Sequence, residues 1–489
     1  MGPSLGAMTD IRPVLYVIGV LVALLGLTMM VPMFVDIGFG RGEWQVFLKS
    51  GLITFVFGTA LAISTQNGQK QGLSIQQMFL LTTVIWLILP IFGGIPFMLA
   101  EMDASVTDAF FEAMSGMTTT GSTVFSGLDN LPEGILLWRS MLQWFGGVGI
   151  IVVAMVFLPE LKVGGMQVFR SEAFDTDGKV LPRAGEIASR ISVVYVVLTA
   201  ACFSAYVLVG MGPFDAVNHA LTTLSTGGFS TRDASFGAFQ GPAEYVSSLF
   251  MILASLPFVR FVQLMAGTAK PMWRDTQIHA YLGVISVLVA AFSVYRFVVD
   301  DDAFEHSIRE GLFNVTSIIS GTGYASTDYQ LWGAFPAVAF FFIGLVGGCA
   351  GSTACSVKVF RYQLLIASMT AQIRKIHSPH GVFTPRYQGQ AVSEDVLSSV
   401  MAFFSFFIVT LGITAVLLAA TGLDLVTAVS GAATAIACVG PGLGDIIGPS
   451  GNFSSLNDTA KWILAIAMLV GRLEVMSVFA LFTIRFWRS

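Results

Sequence analysis

Four short glycine-centred stretches interrupt a chain that is otherwise built of long apolar runs. They are TTTGST around Gly121, STGGFS around Gly227 and Gly228, SGTGYAS around Gly323, and ACVGPGLG around Gly440. Each follows a short, moderately apolar segment and precedes a longer one. Counted from Gly121 through Gly227 and Gly323 to Gly440, the spacings are 106, 96 and 117 residues. That is room for one helix–loop–helix unit per copy and is too long for a solenoid repeat. One such run alone reads as an ordinary turn. Four copies, each held between apolar segments, argue for one element used four times. Glycine suits loops whose consecutive carbonyls must face one axis, because that geometry visits positive φ. Backbone carbonyls can replace the water around a cation without adding charge.

Composition sets the solvent. The chain has 489 residues, 55 % hydrophobic and 11 % charged, against about 25 % charged in soluble domains. With a mean hydropathy of +0.77, this predicts an all-α polytopic membrane protein. The net charge of −5 matters less than its distribution. Cys202, Cys349, Cys355 and Cys438 form no CxxC pair, so neither a disulfide frame nor a metal site is read from them. The N-terminal stretch shows no small-residue cleavage site, and the first helix is expected to be retained.

Spans of roughly 20 apolar residues are expected near 13–35 and 45–64, then 73–99, followed by a segment at 105–118 that is too short to cross. The next long helix is expected near 138–158, where Gly146, Gly147 and Gly149 would permit close packing. A second unit follows over about 184–268, with its short helix near 214–226. A third spans about 276–376 and a fourth about 393–487. In the third, 341–361 places Gly344, Gly347, Gly348, Gly351, Ser352 and Thr353 at mid-membrane depth. This is either a small-residue packing interface or irregular backbone facing water.

Most of the 25 Lys and Arg fall on the side bearing both termini and the loops 159–192, 269–278 and 358–392. That side is therefore cytoplasmic. Acids, among them Asp108, Glu112, Asp215, Asp300, Asp301, Asp302, Asp424 and Asp445, collect on the other side. They either concentrate cations at a mouth or serve solubility. No phosphate loop, nucleophile elbow or HExxH is present, so an enzyme is not expected. The five His are scattered, with no second ligand noted at helical spacing, and read as structural. Arg472 lies 11 residues after Lys461 and 13 before Arg485, roughly 16 Å and 20 Å at 1.5 Å per residue. A charge at that depth must face protein or water. It either bridges to a carboxylate on another helix or stands in a cavity. Glu474, two residues on, points to a different face of the helix.

The four loops resemble the pore loops of the Trk/Ktr/HKT superfamily of potassium transporters, in particular the bacterial TrkH-type subunit, and the resemblance runs along nearly the whole chain. It implies four helix–pore loop–helix repeats around a central pore plus two extra N-terminal transmembrane helices. The bounds would be 1–70 for the extension and 71–165, 166–270, 271–392 and 393–489 for the repeats. It implies K⁺ as the transported ion and no organic cofactor. The K⁺-binding filter would comprise Thr119, Thr120 and Gly121; Thr226, Gly227 and Gly228; Thr322, Gly323 and Tyr324; and Cys438, Val439 and Gly440. The gate would be an intramembrane loop over 347–353, with Arg472 just below the filter. A homodimer, a soluble nucleotide-binding regulatory subunit of TrkA type, and residence in the bacterial inner membrane are implied likewise. Gly at all four positions implies K⁺ and Rb⁺ over Na⁺. The unlike loop sequences lead us to expect weaker selectivity than in a fourfold-identical channel. Two other classes are weighed. A cation-coupled symporter of K⁺ is compatible with the same pattern. A secondary carrier of another solute usually shows inverted repeats and paired broken helices, whereas these repeats look parallel and only one inner helix looks broken.

Overall fold

The computed structural model describes residues 10–67, 73–157, 164–166, 184–299, 302–483 and 487. Asp300, Asp301, Lys70, the C-terminal arginines and most of the basic loop 159–183 lie outside the described residues.

Lipid offers no hydrogen bonds, so each spanning segment must satisfy its own backbone. The regular structure of the described residues is accordingly helical, save for one two-residue ladder pairing Arg386 with Ala391 and Tyr387 with Gln390. Among the described residues, seven helices can cross a membrane by length and apolar character, and an eighth if a bent pair is counted. The expected N-terminal pair is present as Arg12–Gly38 and Trp44–Thr65. Ile75–Leu99 follows, then Glu133–Met155, which starts earlier than the sequence suggested because Pro132 immediately precedes its first turn. The outer surface of the bundle is apolar: Phe34, Val56, Val287, Phe342, Ile408 and Val416 are all exposed. Polar side chains such as Ser115, Thr119, Thr223 and Ser317 are buried instead. This is the inversion expected of a chain whose solvent is lipid.

Four short helices occupy the interior: Val106–Met117, Pro213–Leu224, Phe304–Ser320 and Leu425–Ala437. Three have 12, 12 and 13 residues, about half of what a span needs. Their N-terminal ends carry helix-start chemistry. Ser105 and Asp108 form a reciprocal capping box, Pro213 stands in the first turn, and Asp424 accepts from Val426 N and Thr427 N. The inner end of each runs directly into one of the glycine-centred stretches.

The helices that follow these loops correct one expectation. We expected only one of the four to be broken, yet all four depart from α-geometry in the same half. The first passes into a π-helical turn at Val153–Phe157. The second bends by 90° between Pro242–Ala254 and Phe258–Met265, where Pro257 cannot continue the hydrogen-bond ladder. The third stops at Ile343 and resumes at Val359. The fourth stops at Arg472 and resumes at Met476, with Glu474 and Val475 at φ 60° and 29°.

Candidate ion pathway

The four loops share one backbone. Positive φ occurs at Thr119 and Gly121, at Thr226 and Gly228, at Gly321 and Gly323, and at Cys438 and Gly440. The first residue of each pair ends its helix in the left-handed conformation. In three loops the next N–H closes back five residues: Thr120 to Ser115 O (2.9 Å), Gly227 to Thr222 O (2.9 Å) and Val439 to Thr434 O (3.1 Å). The third loop differs, with Gly323 N–H donating to Ser317 O (3.2 Å). Thr119, Thr226 and Cys438 hold left-handed conformations that glycine would adopt more cheaply, a strain that collects at functional sites.

This pattern corrects the register of the second copy. Gly228, not Gly227, matches Gly121, Gly323 and Gly440. The spaces around these glycines then form a closed circuit. A Cβ on Gly121 would collide with Gly227 O, one on Gly228 with Thr322 O, and one on Gly323 with Val439 O. One on Gly440 would stand 3.0 Å from Thr120 O. Each loop thus abuts the middle carbonyl of the next, and the fourth returns to the first. Such a ring brings together Thr120, Gly227, Thr322 and Val439 at one level and the four glycines at the next. Tyr324 follows its glycine but turns away: its hydroxyl meets Thr222 and Thr223, and its carbonyl accepts from Ser317 Oγ (2.7 Å).

Buried side chains brace the ring. Gln143, on the first long helix after a loop, donates from Nε2 to Gly227 O (2.6 Å) and accepts from Phe229 N (3.0 Å). Ser122 Oγ donates to Gly440 O (2.8 Å). Glu112 and Arg139 pair at 2.8 Å with almost no solvent exposure. Glu112 also accepts from Thr123 Oγ1 and Val124 N, and Arg139 donates to Ser230 O. A buried pair so fully bonded fixes geometry more than it adds stability. Sequence reasoning missed Gln143 altogether. Its only signal was an amide one turn after Arg139 in a helix rich in apolar residues.

On one side, the four glycines open into a cavity of ≈ 210 Å³ that also meets Arg139, Arg232 and Asp233. The acids are less free than their clustering suggested. Asp108 pairs with Lys461 (2.7 Å), Asp215 with Arg232 (2.9 Å) and Asp302 with Arg296 (2.8 Å). The hydrogen bond it donates to Asp215 raises the Arg232 guanidinium above its ordinary pKa. Glu43, Glu101, Asp103 and Asp108 face a separate side cavity of ≈ 350 Å³. Asp302, His306 and Glu310 converge at helical spacing, a cluster the reading of the histidines overlooked, but Arg296 pairs with both acids. His219 is a buried, satisfied residue, meeting Asp215 O and Ser230 Oγ.

On the other side the ring is nearly sealed. The pocket lined by Cys355, Cys438, Lys358, Arg472 and Glu474 holds ≈ 20 Å³, room for about one water and not for a hydrated cation. The segment between Ile343 and Val359 fills this space. It docks on the break of the second helix: Cys349 N–H donates to Ser255 O (3.0 Å), Thr353 Oγ1 to Ala254 O (3.0 Å), and Phe258 N–H to Gly351 O (2.9 Å). Gly347 and Gly351 have φ of 80° and 71°, and Gly348 has no space for a Cβ beside Ala354. Ser352 and Thr353 are fully buried. The end of the segment is held by Arg361, which donates to Gly164 O (2.9 Å), pairs with Glu474 and lies 3.8 Å from the Phe403 ring. Arg472 forms no ion pair among the described residues. It donates to Cys355 Sγ (2.7 Å) and Gly146 O (3.4 Å), beside the Trp86 ring. The bridge to another helix's carboxylate belongs instead to Arg361.

Fold and site define a class: a multi-pass helical membrane protein whose short helices deliver irregular loops to a common centre. The comparisons agree. The family described as TrkH, cation transport protein, matches residues 43–487. The Trk system potassium uptake protein TrkI of Halomonas elongata is 42 % identical, over 98 % of this chain and 97 % of that one. TrkH of Escherichia coli K12 is 35 % identical over 98 % and 99 %. A crystal structure of the potassium transporter TrkH from Vibrio parahaemolyticus superposes with a TM-score of 0.91 at 33 % identity, covering 98 % of this chain and all of that one. The chain belongs to the TrkH family. It is a membrane transport protein and not an enzyme.

Proposed function

We propose that the chain carries K⁺, and Rb⁺ with it, inward across the bacterial inner membrane through a channel-like pore. The observation that carries this reading is the closed circuit in which each ring glycine abuts the next loop's carbonyl. Four loops so arranged offer uncharged oxygen ligands around one axis. Helix C-terminal ends aimed at the ring add a partial negative charge that favours a cation. In this reading Thr119 to Gly121, Thr226 to Gly228, Thr322 to Gly323 and Cys438 to Gly440 form the selectivity filter. Tyr324 supports it from behind. The segment 347–353 is the gate. Arg472, which pairs with no acid among the described residues, sets an electrostatic barrier beneath the filter of roughly 3 kcal/mol at 5 Å and an effective dielectric of about 20. The repeats run over 71–165, 166–270, 271–392 and 393–489, after an extension at 1–70. Both termini are cytoplasmic. The chain works as a homodimer with a soluble nucleotide-binding subunit of TrkA type on the cytoplasmic face. The relatives' names, Trk system potassium uptake proteins, support the choice of ion.

Rubidium uptake by proteoliposomes tests the reading. Uptake competed by K⁺ and indifferent to Na⁺ is expected. Absence of uptake, or equal competition by Na⁺, would overturn it.

A further inference from the structure

Two thiols stand at the inner end of the ring. Cys438 closes the fourth short helix at φ 51°. Cys355 comes from the irregular segment between Ile343 and Val359. Ser356 N–H donates to Ala437 O (3.1 Å), so the two backbones lie side by side. Both residues are buried. Cys355 Sγ also meets Thr119 Oγ1 of the first loop (3.6 Å) and Arg472 Nη1 (2.7 Å). Both cysteines line the same ≈ 20 Å³ pocket.

We infer that Cys355 and Cys438 form a two-sulfur site for a soft monovalent cation, Ag⁺ or Cu⁺, and that filling it blocks the pore. The inference rests on the ring being the ion path. Soft d¹⁰ cations choose thiolate over oxygen and are content with two ligands. They carry the single charge that a carbonyl ring admits, and these thiols are the first soft ligands beneath it. As the cation binds, two S–H bonds break, two S–metal bonds form and two protons leave to water. No electron is transferred. The resulting bis-thiolate unit carries one negative charge, which in a buried site needs a partner. Arg472 already touches one sulfur and supplies that charge. The bound ion would also tie the inner segment to the fourth loop, so the blocked state is a closed one. Cys202 lies on the helix Ala184–Leu208, beside Tyr206.

The probe is silver nitrate in chloride-free medium, applied to the full chain in proteoliposomes during rubidium uptake. Half-inhibition is expected at a silver concentration about tenfold or more lower in the parent protein than in Cys355→Ser or Cys438→Ser. Each variant is scored against its own silver-free uptake, and Cys202→Ser serves as control. Silver X-ray absorption of the loaded parent protein should show two sulfur neighbours, a readout that needs neither flux nor the variants. Equal silver sensitivity in the parent and both serine variants, or fewer than two sulfurs on the metal, would overturn the site. Two-sulfur binding with undiminished uptake keeps the site and overturns the block. Should the parent pass no rubidium, the absorption measurement still decides the site while the transport reading fails separately.

Discussion

The upper and lower halves of the candidate pathway are built on opposite principles. Above, four loops of unlike sequence adopt one backbone, with positive φ at two matched positions in every copy. Below, the four helices that follow the loops are each interrupted, and each in its own way: a π-helical turn, a 90° bend, a long coil and a short kink. A ring that surrounds a spherical ion needs equivalent ligands from every side. A closure needs only one segment able to enter and leave. The ring is held by close backbone approach that leaves no room for a Cβ at Gly121, Gly228 or Gly323 and little at Gly440. The segment below it is held by hydrogen bonds between two broken helices and one buried ion pair, Arg361 with Glu474.

The largest effect should come from the ring. Serine at Gly121, Gly228 or Gly323 forces a Cβ into a neighbouring carbonyl at a backbone that already disfavours side chains. Strain there is of order 1–3 kcal/mol before any collision. The K⁺/Na⁺ permeability ratio should fall by about tenfold or more, 1.4 kcal/mol being one decade. Gly440→Ser, with 3.0 Å of clearance, should fall less. Bilayer recordings under opposed K⁺ and Na⁺ gradients measure all four, and an equal loss at every position would break the circuit argument.

The lower half should respond in flux and not in preference. Shortening 347–353 is expected to raise rubidium uptake severalfold while leaving the K⁺/Na⁺ ratio in place. A folded deletion that conducts no faster would make the segment structural and erase the contrast between the halves.

The smallest change sharpens the boundary between them. Arg472→Met removes charge but keeps the stem and should raise K⁺ flux, at most by the factor corresponding to roughly 3 kcal/mol and in practice by less, because water screens the site when it opens. Selectivity should hold. Lowered thermal stability without faster flux would instead make Arg472 a packing element between Trp86 and Cys355.

The halves also differ in how far they could be read from the residues. Four glycine-centred stretches announced the ring, and the short helix before the first loop was placed within a residue at either end. Register was not legible at the second copy, where Gly227 and Gly228 are adjacent and either letter fits. Only the match of φ angles and the contact with Thr322 O separate them. The bend at Ser255–Pro257 did carry a signal, Pro257, that the apolar run around it hid. The break after Arg472 carried none. Leu473, Glu474 and Val475 include neither Gly nor Pro, and Glu474 leaves the helix in the structure in which it meets Arg361 from over a hundred residues away.

By itself, then, the sequence determined the solvent, the helices and the four positions at which the helices yield to loops. Those follow from local causes: apolar length, capping residues, and the low cost of positive φ at glycine. Tertiary structure decided what the loops become together. Which carbonyl faces which glycine, which arginine finds an acid and which is left facing two thiols, and which helices break below the ring are properties of surfaces in contact. Residues distant along the chain meet there, and no local preference encodes the meeting.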